Sequence, residues 1–234
     1  MYYYLLINLA SIIIPIIAGF DSRLKFHKKW KFLFPALIST MLIFIPWDII
    51  KTDLGVWGFN PKYIMGVYFI NLPIEELLFF IAIPYACIFT YHALALVIKS
   101  ESSNSVFNNL SLLIGISLSI IAVLNHEKTY TFVTFLATGI FLIAHRFLLK
   151  PVYIAKFYFS FLVILLPFFI VDGALTGLFT VEPVVWYDNS ENLGIRLSTI
   201  PVEDFVYGLL LLLMNTTIYE SLQKWSVRNQ YQVK

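Results

Sequence analysis

The sequence predicts an all-α integral membrane protein of about seven transmembrane helices, arranged as two parallel three-helix repeats joined by a linker helix. Of its 234 residues, 59% are hydrophobic and 13% are charged, whereas charged residues make up about 25% of an ordinary soluble domain. Apolar runs recur along the chain at the length of roughly 20 residues that a helix needs to cross a bilayer core. A motif of proline followed closely by two acids also occurs twice, at Pro73 and Pro201. Lipid is therefore the expected solvent of most of the surface.

Seven apolar segments are the predicted spans. They cover residues 4–20, 32–50, 73–98, 110–124, 131–149, 152–175 and 199–222. Basic residues follow the first segment instead of preceding it, which is the reverse of a secretory signal, so we expect this segment to remain as a span. Prolines inside several segments predict kinks, which lipid-embedded helices tolerate when neighbouring groups bond the freed carbonyls.

Lysine and arginine residues fall unequally on the two sides of these spans. Twelve lie in one set of alternate connections, and the other set holds Lys51, Lys62, Lys128 and Arg196. Connections rich in positive charge stay in the cytoplasm. We therefore predict a multi-pass protein of the cell membrane whose N-terminus lies outside and whose C-terminus is cytoplasmic.

An internal repeat organises the chain. Residues 66–76 align with residues 194–204, so that a glycine, a proline, a glutamate and a second acid coincide. Further matches are Asp48 with Asp172, Thr52 with Thr176, and Tyr91 with Tyr219. Spans one to three thus map onto spans five to seven, and the unpaired fourth span restores the orientation of the second half. The predicted units are residues 1–98, a linker at 99–128 and residues 129–234, with both acidic motifs opening on the same membrane face.

Six acidic residues are the candidate catalytic groups, and all of them belong to the repeat. They are Glu75, Glu76, Glu203, Asp204, Asp48 and Asp172. One copy of the motif would suit a plain helix start, where proline and acids are favoured. Two copies that run straight into apolar segments indicate function, because an acid in mid-span costs about 2.5–3.5 kcal/mol on insertion scales.

The setting of these acids indicates their chemistry. Burial favours the uncharged form of a carboxyl group, and a neutral carboxylic acid beside a hydrocarbon can donate a proton to a double bond. Neighbouring residues on a helix point about 100° apart. We therefore expect one member of each acidic pair to face the substrate, while the other positions it or accepts a proton.

Aromatic side chains beside the motifs are the candidate substrate-binding residues. They are Trp47, Trp57, Phe79, Phe80, Trp186 and Tyr207. An aromatic face stabilises a cation by about 0.5–2 kcal/mol, which suits a carbocation kept away from water. The same residues would also suit an interfacial belt or ordinary packing.

Several classes of function are not supported by the sequence. The net charge is only +2, with no basic cluster carrying interleaved aromatics, so nucleic acid is not an expected partner. Cys87 is a lone cysteine, and neither His92 nor His145 belongs to a metal-ligand set. Glycine-rich phosphate loops, nucleophile elbows and Rossmann fingerprints are absent from the sequence. We expect no cofactor and no metal, and membrane lipid as the surrounding partner.

The two copies of the pattern, Pro73-Ile-Glu75-Glu76 and Pro201-Val-Glu203-Asp204, resemble those of the membrane-bound lycopene beta-cyclases, which occur as two small subunits or as one fused chain. The resemblance covers nearly the whole length, with Asp204 in place of the second glutamate. It implies that lycopene, or a related linear carotenoid, is closed to a beta-ionone ring without net redox change. The hypothesis assigns proton donation to Glu75 or Glu203. Removal of a ring proton then falls to Glu76, Asp204, Asp48 or Asp172.

Two other classes of function compete with this interpretation. One is a related isoprenoid enzyme, either a carotenoid hydratase or a prenyltransferase, although Asp48-x-x-x-Thr52 lacks the second acid of a magnesium-diphosphate site. The other is a small transporter with parallel repeats, in which the acids would couple ions. The sequence leaves open whether the halves form one site or two, whether one or both polyene ends react, and whether the protein forms oligomers.

Overall fold

Helices make up most of the protein. The computed structural model describes residues 2–96 and 104–232. In chain order the α-helices of this part are α1 (Tyr3–Ala18), α2 (Trp30–Asp53), α3 (Ile74–Leu94), α4 (Asn104–Leu124), α5 (Thr129–Ala144), α6 (Ile154–Leu175) and α7 (Val202–Gln232). Six helical segments are long and apolar enough to cross a membrane, with α5 continued to that length by the helical turn His145–Leu149. Helix α1 is a shorter apolar helix of 16 residues. The predicted all-α membrane fold is confirmed.

Short strands between the helices were not predicted. They are β1 (Trp57–Phe59), β2 (Tyr68–Phe69), β3 (Leu72–Pro73), β4 (Val185–Tyr187), β5 (Arg196–Leu197) and β6 (Ile200–Pro201). Strands of two or three residues are too short to show an alternating apolar pattern in the sequence. The hairpins β2–β3 and β5–β6 lead into α3 and α7. The predicted span starts at residues 73 and 199 were therefore too early, because Pro73 is extended at φ −64° and ψ 149° and caps α3 instead of lying within it.

Strands β1 and β4 join the two halves of the chain. They pair antiparallel with Gly58 opposite Trp186, and these two residues occupy equivalent positions in the repeat. The flanking backbone hydrogen bonds follow the same symmetry, from Asn60 N to Val184 O at 2.8 Å and from Asp188 N to Val56 O at 2.9 Å. A pair of strands centred on equivalent residues has a local two-fold axis, which relates the two halves of the chain where they meet.

The two halves interlock through their second and third helices. Helix α2 packs against α7, and α3 packs against α6 and α7. The predicted boundaries of the three units remain a prediction, and the one at residues 98 and 99 lies outside the described residues. Lys99 and Lys234, two of the twelve basic residues assigned to the cytoplasmic side, also lie outside the described residues.

Helix α4 packs mainly on α5 through small residues. A Cβ atom on Gly139 would lie 2.3 Å from the Ser119 Oγ atom and 2.7 Å from the Gly115 carbonyl oxygen. Both distances are far below van der Waals contact, and the carbonyl belongs to the backbone. The two glycines therefore allow a helix approach that no larger residue permits.

Gly139→Ala is expected to lower the free energy of unfolding by about 1–3 kcal/mol, the usual cost of overpacking. The added methyl group forces α4 away from α5. Unfolding of the detergent-solubilised protein measures the effect. Ile140→Ala is the matched control, because Ile140 is the next residue of α5 and is 57% exposed. Equal stability of the two variants would contradict this account of the packing.

Candidate functional site

Four of the six candidate acids line a single cavity at one end of the helix bundle. Asp48 and Asp172 lie near the ends of α2 and α6, and Glu76 and Asp204 lie in the first turns of α3 and α7. None of them is more than 8% exposed. Within residues 2–96 and 104–232, the ion pairs are Arg23 with Asp21 and Lys156 with Glu220. The four buried carboxyl groups therefore have no cationic partner in the described part of the chain.

The four acids form two pairs that are related by the repeat. Asp48 lies within hydrogen-bonding reach of Glu76, and Asp172 lies within reach of Asp204. Each pair joins the end of one helix to the beginning of the next helix in the same half. Two carboxyl groups can hydrogen-bond to each other only if one of them carries a proton.

Tyrosine hydroxyl groups donate to these acids. Tyr4 donates to Glu76 Oε2 at 2.6 Å, and its repeat equivalent Tyr130 donates to Asp204 Oδ1. Burial raises the pKa of the Tyr187 phenol, and the nearby carboxyl groups of Asp204 and Asp172 raise it further. The phenol of Tyr187 in strand β4 thus stays protonated beside Asp204 and Asp172. The sequence analysis missed these tyrosines, although Tyr4 and Tyr130 fall at matching places in the repeat.

The first acid of each motif faces away from the cavity. Glu75 accepts a hydrogen bond from the backbone amide of Met65 at 2.6 Å. Its equivalent Glu203 accepts from the amide of Leu193 at 2.8 Å and from the hydroxyl of Thr131 at 2.6 Å. Both glutamates are 0% exposed. They hold the connections before α3 and α7 against the helix bundle, and neither lines the cavity.

The cavity continues from the acids into an apolar channel. Its atom-free space is about 1140 Å³, including the open mouth. On α3 the lining residues are Glu76, Phe79, Ile83, Ala86, Cys87 and Thr90. These positions share one helical face, and at 1.5 Å per residue they follow the channel for about 21 Å. A long hydrocarbon can therefore lie along α3 with its end against the acids.

The predicted aromatic residues divide into two groups. Trp57, Phe79 and Tyr207 line the cavity, whereas Trp47, Phe80 and Trp186 do not. Trp47 is stacked on Phe44 at a ring-centroid distance of 5.7 Å, and Trp186 lies in strand β4 and is 43% exposed. Sequence proximity to a motif does not determine which side of a helix or strand a ring occupies. Lining aromatics that the sequence analysis missed are Phe59, Phe168, Tyr4, Tyr130 and Tyr187.

The fold and this site together define a class of protein, namely a multi-pass membrane protein with a buried acidic cluster at the head of an apolar channel. Such a site is suited to acid chemistry on a hydrocarbon. A family model described as lycopene cyclase matches residues 1–94 and 127–222, and the chain therefore belongs to the lycopene cyclase family. No curated protein and no solved structure matches the chain significantly.

Membership of this family makes the chain a carotenoid cyclase that acts on a linear carotenoid. The family that the two acidic motifs resemble is thereby confirmed. The match stops at residue 94 and resumes at residue 127, and the whole of α4 lies between these limits.

Proposed function

We propose that this protein is a lycopene beta-cyclase, which converts the linear ends of lycopene to beta-ionone rings and so forms gamma-carotene and then beta-carotene. The reaction is an isomerisation that needs one proton donor and one proton acceptor. The observation that carries the proposal is the cluster of four buried, paired carboxyl groups at the head of an apolar channel, with no cationic partner among the residues that the structure describes. We place the protein in the cell membrane with its N-terminus outside.

The hydrogen bonds around each pair indicate where its proton lies. Phenol donors favour the ionised form of the group that accepts from them, and Tyr4 donates to Glu76 whereas Tyr130 donates to Asp204. The shared proton of each pair then lies on its aspartic partner, Asp48 or Asp172. Asp172 is the stronger candidate for the acid, because Tyr207 donates to Asp48 Oδ1 at 3.4 Å, whereas no phenol donates to Asp172 in the described part of the chain.

In the proposed mechanism, Asp172 delivers its proton to C2 of the terminal double bond and leaves a tertiary cation at C1. The C5=C6 bond attacks this cation, so that C1 and C6 are joined and the charge moves to C5. Glu76 then removes the proton from C6 and the C5=C6 double bond is restored. One proton enters and one leaves, so proton exchange within the cluster returns the site to its first state.

Aromatic rings in the cavity wall stabilise the intermediate cations. Trp57, Phe79 and Tyr207 are in positions to face the reacting end, and each cation–π contact contributes about 0.5–2 kcal/mol. Exclusion of water by the apolar wall prevents the cation from being quenched as an alcohol. The residues of the channel thus decide between ring closure and hydration.

Ring formation in D₂O is expected to add one deuterium atom to C2 of each new ring, because the carboxyl proton exchanges with solvent before it is transferred. Lycopene is supplied to membranes that contain the protein, and the products are analysed by mass spectrometry and NMR. Membranes from the same host without the protein are the control. Rings without deuterium would contradict transfer from an exchangeable acid. Hydroxylated acyclic products would identify a hydratase instead.

A further inference from the structure

The channel follows only one of two paths that the repeat makes equivalent. The open path runs between α1 and α3 of the first half and α6 and α7 of the second half. The repeat relates α1 to α5, α2 to α6 and α3 to α7, so the equivalent path lies between α5, α7, α2 and α3. In the described part of the chain this second path is occupied by a packed hydrophobic cluster around Phe44, Phe80, Leu210 and Leu211.

Exchanges of small for large side chains distinguish the two paths. At equivalent positions the open path has Gly208, Val171 and Ala86 where the filled path has Phe80, Trp47 and Met214. Each exchange adds volume on the filled side. Because three separate helices contribute the larger residues, the difference does not depend on the rotamer of one side chain.

The rings of the filled path contact one another directly. Phe44 lies 6.3 Å from Phe80 and 5.7 Å from Trp47 between ring centroids. Its equivalent Phe168 lines the open channel and contacts Phe205 at 5.1 Å. Where Phe44 meets the ring of Phe80, Phe168 thus meets a glycine, and a Cβ atom on Gly208 would lie 3.5 Å from Phe168 Cε2.

A polar contact also crosses the filled path. Thr40 Oγ1 donates to Asn215 Oδ1 at 3.1 Å, and both residues are at most 1% exposed. The equivalent residues of the open path are Ile164 and Cys87, which line the channel. A hydrocarbon that enters the open path therefore does not have to break a hydrogen bond between these two positions. Entry of a polyene along the filled path would break this hydrogen bond and displace several rings.

We infer that the protein has one polyene-binding arm, formed by α1, α3, α6 and α7, and that Gly208 and Ala86 keep it open. The chain then binds a single carotenoid by one end, and all four carboxyl groups serve that one end. The inference rests on the proposed function for the identity of the polyene. It follows that the two ends of lycopene react in separate binding events, with the one-ringed product released between them.

Two substitutions that copy the filled path test the arm. Gly208→Phe and Ala86→Met each place the side chain of the filled path in the open arm, from opposite walls. Each variant is expected to lower the amount of lycopene bound per purified chain at least tenfold and to lower ring formation in parallel. Leu166→Phe is the control, because Leu166 precedes Pro167 on α6 and is 72% exposed away from the channel.

The readouts are lycopene absorbance after gel filtration in detergent, thermal unfolding, and the time course of products. Wild-type protein is expected to bind one lycopene per chain and to release free gamma-carotene before beta-carotene appears. Two lycopenes per chain, unchanged binding in both folded variants, or beta-carotene without free gamma-carotene would overturn the single arm. The wild type could bind lycopene saturably, lose this binding on either substitution, and yet form no rings. That result would reject the proposed function but would still support the single binding arm.

Discussion

Replacing Glu76 by glutamine is expected to lower the rate of ring formation about 10²–10⁴-fold, which is the range that a positioned acid or base contributes. Glutamine keeps the size of the side chain and still accepts the hydrogen bond from Tyr4. It cannot take up a proton from C6 of the ring. The measurement is the rate of conversion of lycopene in membranes with equal amounts of folded protein.

The neighbouring residue Glu75 offers a matched control for this experiment. Its carboxyl group accepts from the amide of Met65 and does not line the cavity. The amide oxygen of glutamine can accept the same hydrogen bond, so Glu75→Gln is expected to retain ring formation. If Glu75→Gln abolished activity and Glu76→Gln did not, proton transfer would belong to the first acid of the motif.

Removal of the Glu203 side chain is expected to have the largest effect on stability. Glu203→Ala leaves the buried amide of Leu193 and the hydroxyl of Thr131 without their acceptor. A buried hydrogen-bond donor left without its acceptor costs about 1–3 kcal/mol, so the loss of both bonds is expected to lower the free energy of unfolding by about 2–6 kcal/mol. Urea unfolding in mixed micelles measures the difference.

Two further variants test whether the loss of stability in Glu203→Ala comes from the missing hydrogen-bond acceptor. Glu203→Gln keeps an oxygen acceptor for both donors and is expected to recover most of the stability together with ring formation. Glu127→Ala changes an exposed glutamate before α5 and is expected to leave stability unaltered. A Glu203→Ala protein as stable as Glu127→Ala would show that the connection before α7 does not depend on this carboxyl group.

The fusion of the two halves has a physical consequence for the site. In a symmetric dimer of identical subunits both equivalent paths would carry the same residues and would be equally open or closed. A single chain can place Gly208 on one path and Phe80 on the other. The acidic cluster keeps the repeat symmetry, whereas the channel below it has lost that symmetry.

The sequence alone predicted the membrane class, the two repeats and the identity of the acids. These features follow from local properties, since the length of an apolar run and the spacing of a motif are properties of consecutive residues. The same reasoning predicted that the adjacent acids Glu75 and Glu76 would point in different directions. It could not assign the directions, because these depend on contacts with Met65 and Tyr4.

The tertiary structure determines which of the acidic, aromatic and small residues contact one another. Tyr4 and Glu76 are 72 residues apart in the chain and come together only because α1 packs on α3. The places of Trp47 and Phe80 in a packed cluster, and of Gly208 beside an open channel, likewise depend on how helices from both halves interlock. Helix periodicity determines on which face of its helix a residue lies. Which other helix packs against that face depends on the shape and volume of side chains from distant parts of the chain.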